Sequence, residues 1–260
     1  MSYKVVTVAT EEKGMFNELI NNDFGFDVEV LGMGKTWTGY RMKCELLYEY
    51  IEDKDDDMVV VLLDGYDSAI KKDPSLAYKI FIDKKYKFLA SRDPSELSGY
   101  SRWVTEKMFD TPCQDDYFAN AGMFMGYVKY LKIYLESVLS NTCKDDQRLL
   151  NKSCKELDFI SVDIDEDIFY NTPLYEIRRE DLWNNKSVFV SHPASLSNER
   201  YSRFVNEYTQ FFAKEVLISY FLFIIIIIIF VKNYKIQFSL IIGATIILFL
   251  VSAIADKSCL

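Results

Sequence analysis

Met58-Val-Val-Val-Leu-Leu63 runs without a break into Asp64-Gly-Tyr-Asp67. An uninterrupted apolar run bounded by turn and charge signals is the pattern of a strand buried on both faces, as in the parallel sheet of an α/β domain. Open sheets of that kind bind ligands at the carboxyl ends of their strands. Two carboxylates at such an end are costly to bury unless they are paired, hydrogen-bonded or on a metal. Hard oxygen donors suit Mg²⁺ or Mn²⁺ carrying phosphate groups. The alternative is an Asp-rich turn that caps the next helix.

Working outward from this stretch, strands and helices alternate. Val5 to Ala9 is expected as a first strand, and Thr10-Glu-Glu12 opens a helix through Phe16, Leu19 and Ile20. Phe26 to Leu31 is a second strand, and Gly32-Met-Gly34 a turn that carries Lys35, Trp37 and Gly39 into a loop. Lys43 to Ile51 reads as a helix, as does the region from Leu76 to Phe81, with a strand at Lys87 to Ala90. This order predicts an α/β domain with a mainly parallel sheet. Ser95 to Pro112 is expected to be irregular.

In Tyr117-Phe-Ala-Asn-Ala-Gly-Met-Phe-Met-Gly126 the small residues let backbone approach something closely, and Asn120 offers both a donor and an acceptor. A helix through Leu131, Leu135 and Leu139 ends near Asn141. Asp145 and Asp146 then open another helix, where the dipole favours acids, and capping alone accounts for them. The single histidine, His192, follows the strand-like run Ser187 to Ser191 and would face the same edge as Asp64 and Asp67. A lone histidine is more often a structural residue than a ligand.

The C-terminal part differs in kind. Two apolar runs, 216–231 with six consecutive isoleucines and 236–255, are separated by Lys232-Asn-Tyr-Lys235. A membrane-spanning helix needs about 20 apolar residues, and about 17 at the lower end. Both runs are apolar on every face, unlike an amphipathic helix at the margin of a soluble core. The expected organisation is a head over residues 1–212 and a membrane anchor over 213–260, forming a transmembrane helical hairpin in a lipid bilayer. Lys232, Lys235 and Lys257 against Asp256 make the tail +2, so of the whole-chain charge of −9 a charge of −11 falls on the head. An acidic head argues against a nucleic-acid partner. Without a signal-like start, the head is expected on the cytosolic side; a lumenal head would give the sequons at Asn151 and Asn185 a meaning. The five cysteines show no zinc spacing and no expected disulfide framework.

Taken together, Val6-Thr-Val-Ala-Thr10, Val30-Leu-Gly-Met-Gly-Lys-Thr-Trp37, Leu63-Asp-Gly-Tyr-Asp67, Asn120-Ala-Gly-Met-Phe-Met-Gly126, Asp145-Asp-Gln147 and the strand before His192 resemble the glycosyltransferase domain of the lysyl hydroxylases and their viral relatives. The resemblance covers most of residues 4–206 and implies a GT-A-like fold that uses Mn²⁺, with Mg²⁺ as a substitute, and a UDP-sugar. It implies Asp64, Asp67 and His192 as metal ligands. Val8, Ala9 and Thr10 would line the nucleotide, Trp37 would pack on uracil, and Lys43 would lie near the phosphates. Asp64 also belongs to the nucleotide-sugar set, with Asn120 on the sugar side, and Asp145 or Asp146 would be the catalytic carboxylate. The implied partners are a UDP-hexose and a protein acceptor, the hydroxylysine or galactosyl-hydroxylysine of a collagen-like chain.

The chain departs from that pattern in several places. Pro193-Ala-Ser195 replaces a Gly-Asn-Gly-Pro sequence, and Thr38-Gly-Tyr-Arg41 stands for a longer Gly-rich stretch. Ser91-Arg-Asp-Pro-Ser95 replaces a Trp-Pro segment. In the place of the family's hydroxylase domain, a membrane hairpin is expected. The rival to an enzyme is therefore a non-catalytic, membrane-anchored binding subunit. UDP release from UDP-sugars separates the two.

Overall fold

The computed structural model describes residues 3–94, 106, 112–113, 117–143, 145–172, 186–192, 220–225, 227, 236 and 240–243. The chain divides into two compact units, Met1–Ser197 and Asn198–Leu260. In the first, the strands are β1 (Tyr3–Val8), β2 (Val28–Leu31), β3 (Val59–Asp64), β4 (Ser68–Ile70), β5 (Phe88–Arg92), β6 (Ala119–Tyr127), β7 (Ile160–Val162), β8 (Phe169–Asn171) and β9 (Phe189–Ser191). The helices are α1 (Phe16–Ile20), α2 (Tyr40–Ile51), α3 (Pro74–Asp83), α4 (Val128–Ser140) and α5 (Asp146–Glu156).

Six strands form one sheet in the order β2-β1-β3-β6-β5-β7. β1 is parallel to both β2 and β3, and β5 is parallel to β7. β6 alone runs against its neighbours β3 and β5. The expected mainly parallel α/β sheet is therefore present, with one reversed strand in its middle. A second sheet has the order β4-β9-β8.

The decisive strand behaves as its composition requires. Val59 to Leu63 are at most 1% exposed because β3 has strands on both sides and packing on both faces. One face joins Val5, Val61, Leu63, Leu89, Met123 and Met125 to Phe81 of α3. On the other, Phe88 stacks on Phe124 at 5.2 Å and meets Tyr134 of α4 edge-on at 5.1 Å. Each such buried side chain contributes about 1.5–3 kcal/mol from removal of apolar surface.

Two expectations need correction. The small-residue segment at 119–127, given no element from sequence, is a central strand. The bare glycines serve neighbours there: a Cβ on Gly126 would lie 3.3 Å from the Leu131 side chain and from Lys87 O. Second, Cys113 and Cys154 form a disulfide. It ties the segment before β6 to the end of α5, a proximity created by the fold and invisible in cysteine spacing. Cys44 is a buried thiol.

In the second unit the described residues are helical, and Phe221, Leu222, Ile236 and Leu240 are exposed. No helix among the described residues is long and apolar enough to cross a membrane. Most of the runs 216–231 and 236–255 lie outside the described residues, as do Pro193-Ala-Ser195, Asn185 and nearly all of Ser95 to Pro112.

Candidate active site at the carboxyl edge of the sheet

The parallel pairing of β1 with β3 puts Val8 opposite Asp64. Val8 and Ala9 are buried, so what they bring to this edge is main chain. Gly65 is required here by close approach: a Cβ would stand 2.8 Å from Val8 O and 3.1 Å from Ala9 Cβ. Thr10 N donates to Tyr66 Oη at 2.9 Å, which fastens the end of β1 to the turn carrying Asp64 and Asp67. Past β2, Gly32 and Gly34 take positive φ of 88° and 78°, the left-handed region that favours glycine, and turn the chain outward. Trp37 lies beyond that turn, 42% exposed and edge-on to Tyr40 at 6.1 Å. It is not a core tryptophan.

On the other side of β3 the last antiparallel pair with β6 is Leu63↔Met123, so the next step brings Asp64 opposite Gly122. A Cβ on Gly122 would lie 2.9 Å from Asp64 Oδ2 and 2.9 Å from Asn120 Oδ1. Two acceptor oxygens thus converge on one bare Cα. Asn120 Oδ1 also accepts from Gly122 N at 2.8 Å, which fixes the amide orientation.

Beneath this seat lies Lys43, only 5% exposed. Its ammonium is 3.2 Å from Asp64 Oδ1, 3.0 Å from Ala121 O and 2.5 Å from Asp146 Oδ2. Burial alone would lower the lysine pKa, but the charges of Asp146 and Asp64 outweigh it and hold the group well above its ordinary value. The same burial pushes the neighbouring Cys44 thiol up to about 12. The compensation for buried Asp146 Oδ2 is this adjacent ammonium. Asp145 is the cap of α5, its Oδ1 accepting from Arg148 N at 3.0 Å.

Helix α5 is held to β6 by amides. Asn151 accepts from Ala119 N and donates to Ala119 O, both at 2.9 Å, imitating a strand partner. Gln147 donates to Asp93 Oδ2 at 2.7 Å and accepts from Ala121 N at 3.3 Å. Because Asn151 is fully buried in this way, its sequon is closed to modification in the folded head.

Asp67 and His192 meet through main chain. β4 and β9 pair Ser68 with Ser191, and His192 N donates to Asp67 O at 2.6 Å. The imidazole is buried, with Nδ1 hydrogen-bonded to Thr172 Oγ1 at 3.1 Å. Asp64, Asp67 and His192 therefore stand at the ends of neighbouring elements, β3, β4 and β9. Among the described residues, no three His, Cys, Asp or Glu side chains converge closely enough to hold a metal ion. The donor set fits a divalent ion in kind, two carboxylates and an imidazole, with further oxygens to come from a ligand.

Of the proposed site residues, Val8, Ala9, Thr10, Asp64 and Asn120 lie together at the carboxyl edge of β1 and β3. Asp146 reaches Asp64 through Lys43, Asp145 caps α5, and Trp37 lies on the exposed loop past β2. Lys43 occupies a different environment from the one anticipated: a buried ion pair. Sequence reading gave no role at the site to Tyr66, Asp93, Gln147, Asn151 or Thr172. Tyr66 lies inside the quoted motif and was open to notice; the amides of α5 matter only through contacts with β6.

A profile of the PLOD GT domain matches residues 1–181. A "Multifunctional procollagen lysine hydroxylase and glycosyltransferase" from Caenorhabditis elegans is 28% identical over 159 residues, which is 56% of this chain and 21% of that protein. The chain thus spans about a fifth of the length of that relative. The "Crystal Structure of A197 from STIV" aligns at a TM-score of 0.34 and 12% identity over 52% of this chain and 68% of that one, a likeness that carries no argument.

Proposed function

The chain belongs to the family of PLOD GT domains, and on that premise we propose that it is a glycosyltransferase with a GT-A-like head. It would move a hexose from a UDP-sugar to a hydroxyl acceptor, the hydroxylysine or galactosyl-hydroxylysine of a collagen-like protein. The observation that carries this reading is the convergence of Asp64 Oδ2 and Asn120 Oδ1 over Gly122 at the end of a buried strand. Two fixed acceptors beside the main chain of β1 suit the hydroxyl groups of a sugar.

In this reading Trp37 stacks on the uracil, its exposure leaving the ring available. Asp64, Asp67 and His192 would hold Mn²⁺ or Mg²⁺ together with diphosphate oxygens. When bound, that ion supplies Lewis-acid stabilisation of the charge developing on the UDP leaving group. The chain's own contribution is orientation: tethered Asp64 and Asn120 fix the sugar, and holding reactants in place lowers the barrier. Thr172 sets the imidazole orientation of His192 in the way outer partners of metal-ligating histidines do. Asp145, half-buried at the start of α5, is the acceptor-side carboxylate that would receive the hydroxyl proton.

The apolar runs 216–231 and 236–255 are proposed as the bilayer anchor. The Cys113–Cys154 disulfide supports an oxidising compartment for the head, and so a lumenal side rather than the cytosolic one. The test of the function is UDP release by the full chain from a panel of UDP-sugars, with and without Mn²⁺ and with a hydroxylysine peptide. Metal-dependent release from at least one donor is the expected result. Its absence for every donor, slow hydrolysis included, would leave the binding-subunit reading.

A further inference from the structure

Resting on the reading of the β3 edge as the nucleotide-sugar seat, we infer that Lys43 is a positioning residue that presents Asp64 Oδ2 to the ligand, and that Asp146 acts through Lys43 as its counter-charge rather than on the sugar. An ammonium has three N–H bonds, and three oxygens surround this one, from β3, β6 and α5. None of its donors is left for a phosphate. Of the Asp64 carboxylate, Oδ1 turns down to Lys43, while Oδ2 turns to the space above Gly122. A carboxylate tethered at one oxygen keeps the other in a fixed place, which is what an orienting contact needs.

A purely structural cross-link is the competing account, with the pair holding α5 against the sheet. That task already has its own fastenings. Asn151 makes two hydrogen bonds to Ala119, and Gln147 bridges Ala121 N and Asp93. A buried ion pair is moreover a poor source of net stability, because desolvation opposes the attraction, and replacing both partners with apolar residues is often neutral. Keeping one at this place calls for a reason in geometry. The neighbour it orients, Asp64, is the residue on which the proposed seat depends.

The test is calorimetric titration of the full chain with UDP in the presence of Mn²⁺, alongside thermal melts. Lys43→Met/Asp146→Leu removes both charges and leaves an apolar pair of similar bulk. It is expected to melt within a few degrees of wild type, yet to bind UDP about tenfold or more weakly, since Asp64 Oδ1 loses its tether. Asp146→Asn keeps an acceptor for the ammonium and is expected to bind within about threefold of wild type. Wild-type affinity in the double variant would overturn the positioning role. So would a double variant that fails to fold, which would make the pair a structural element. Asp146→Asn losing as much affinity as the double variant would mean that Asp146 touches the ligand itself. Wild type that binds no UDP would instead defeat the proposed function, and this inference with it.

Discussion

The corner around Asp64 is fastened by side chains, whereas the corner around Asp67 and His192 is fastened by main chain. At the first, the Lys43 ammonium and the amides of Asn120, Gln147 and Asn151 join α2, β3, β6 and α5. At the second, the β4–β9 ladder and the His192 N to Asp67 O hydrogen bond set the backbone positions. A corner of the first kind couples function to stability, because one substitution removes both. A corner of the second kind keeps its backbone when a side chain is exchanged and loses only that side chain's own contacts.

The largest effect should come from breaking the first corner. Lys43→Met alone leaves the buried Asp146 without its cation, and the loss expected in denaturant unfolding is about 3–5 kcal/mol. Next comes Gly122→Ala, whose methyl would meet two oxygens at 2.9 Å; the expected cost is about 1–3 kcal/mol. Across the divide, Thr172→Val removes the hydrogen bond at His192 Nδ1, for an expected loss of about 1 kcal/mol by thermal melt.

Trp37→Ala lies in neither corner. With the ring exposed, stability should stay within about 0.5 kcal/mol of wild type. The KM for donor should rise more than kcat falls, because an aromatic platform binds ground and transition states alike.

The smallest effect concerns pH, at a carboxylate that props the second sheet. Asp163 accepts from the N–H groups of Asp167, Ile168 and Phe169 just ahead of and into β8. Burial raises its pKa above the ordinary 3.8, and those hydrogen bonds offset it only in part. The folded chain then keeps this proton to higher pH than the unfolded chain. The stabilisation linked to it is present below 3.8 and is lost as pH rises through the folded value. Melts of wild type and Asp163→Asn across about pH 3 to 6 should show that falling component in wild type alone.

Much of the frame could be read from sequence because a strand buried on both faces leaves a continuous apolar run, as β3 does. α2 and α4 were legible from helical spacing of apolar residues. β6 was not, since Ala119, Ala121 and Gly122 carry no alternation; their burial comes from β3 and β5 on either side. β4, β7 and β8, with three residues each, are too short to leave a pattern. At the site, Asp64 and Asp67 stood out because carboxylates at a strand end need a reason, and Asn120 because it offers a donor and an acceptor among small residues. Lys43 drew notice through the family resemblance alone, and its burial depends on the distant Asp146, which no local pattern relates to it. The disulfide joins segments that nothing in the cysteine spacing relates.

The central claim is that the carboxyl edge of this sheet seats a metal-assisted nucleotide, with Asp67 as a ligand rather than a structural residue. Thermal melts of the full chain and of Asp67→Ala, each with and without UDP plus Mn²⁺, test it most directly. Binding to the folded state alone raises Tm. The account predicts a clear rise for wild type, and for Asp67→Ala an unchanged ligand-free Tm with no rise at all. An Asp67→Ala chain whose Tm still climbs with UDP and Mn²⁺ as far as wild type would contradict it.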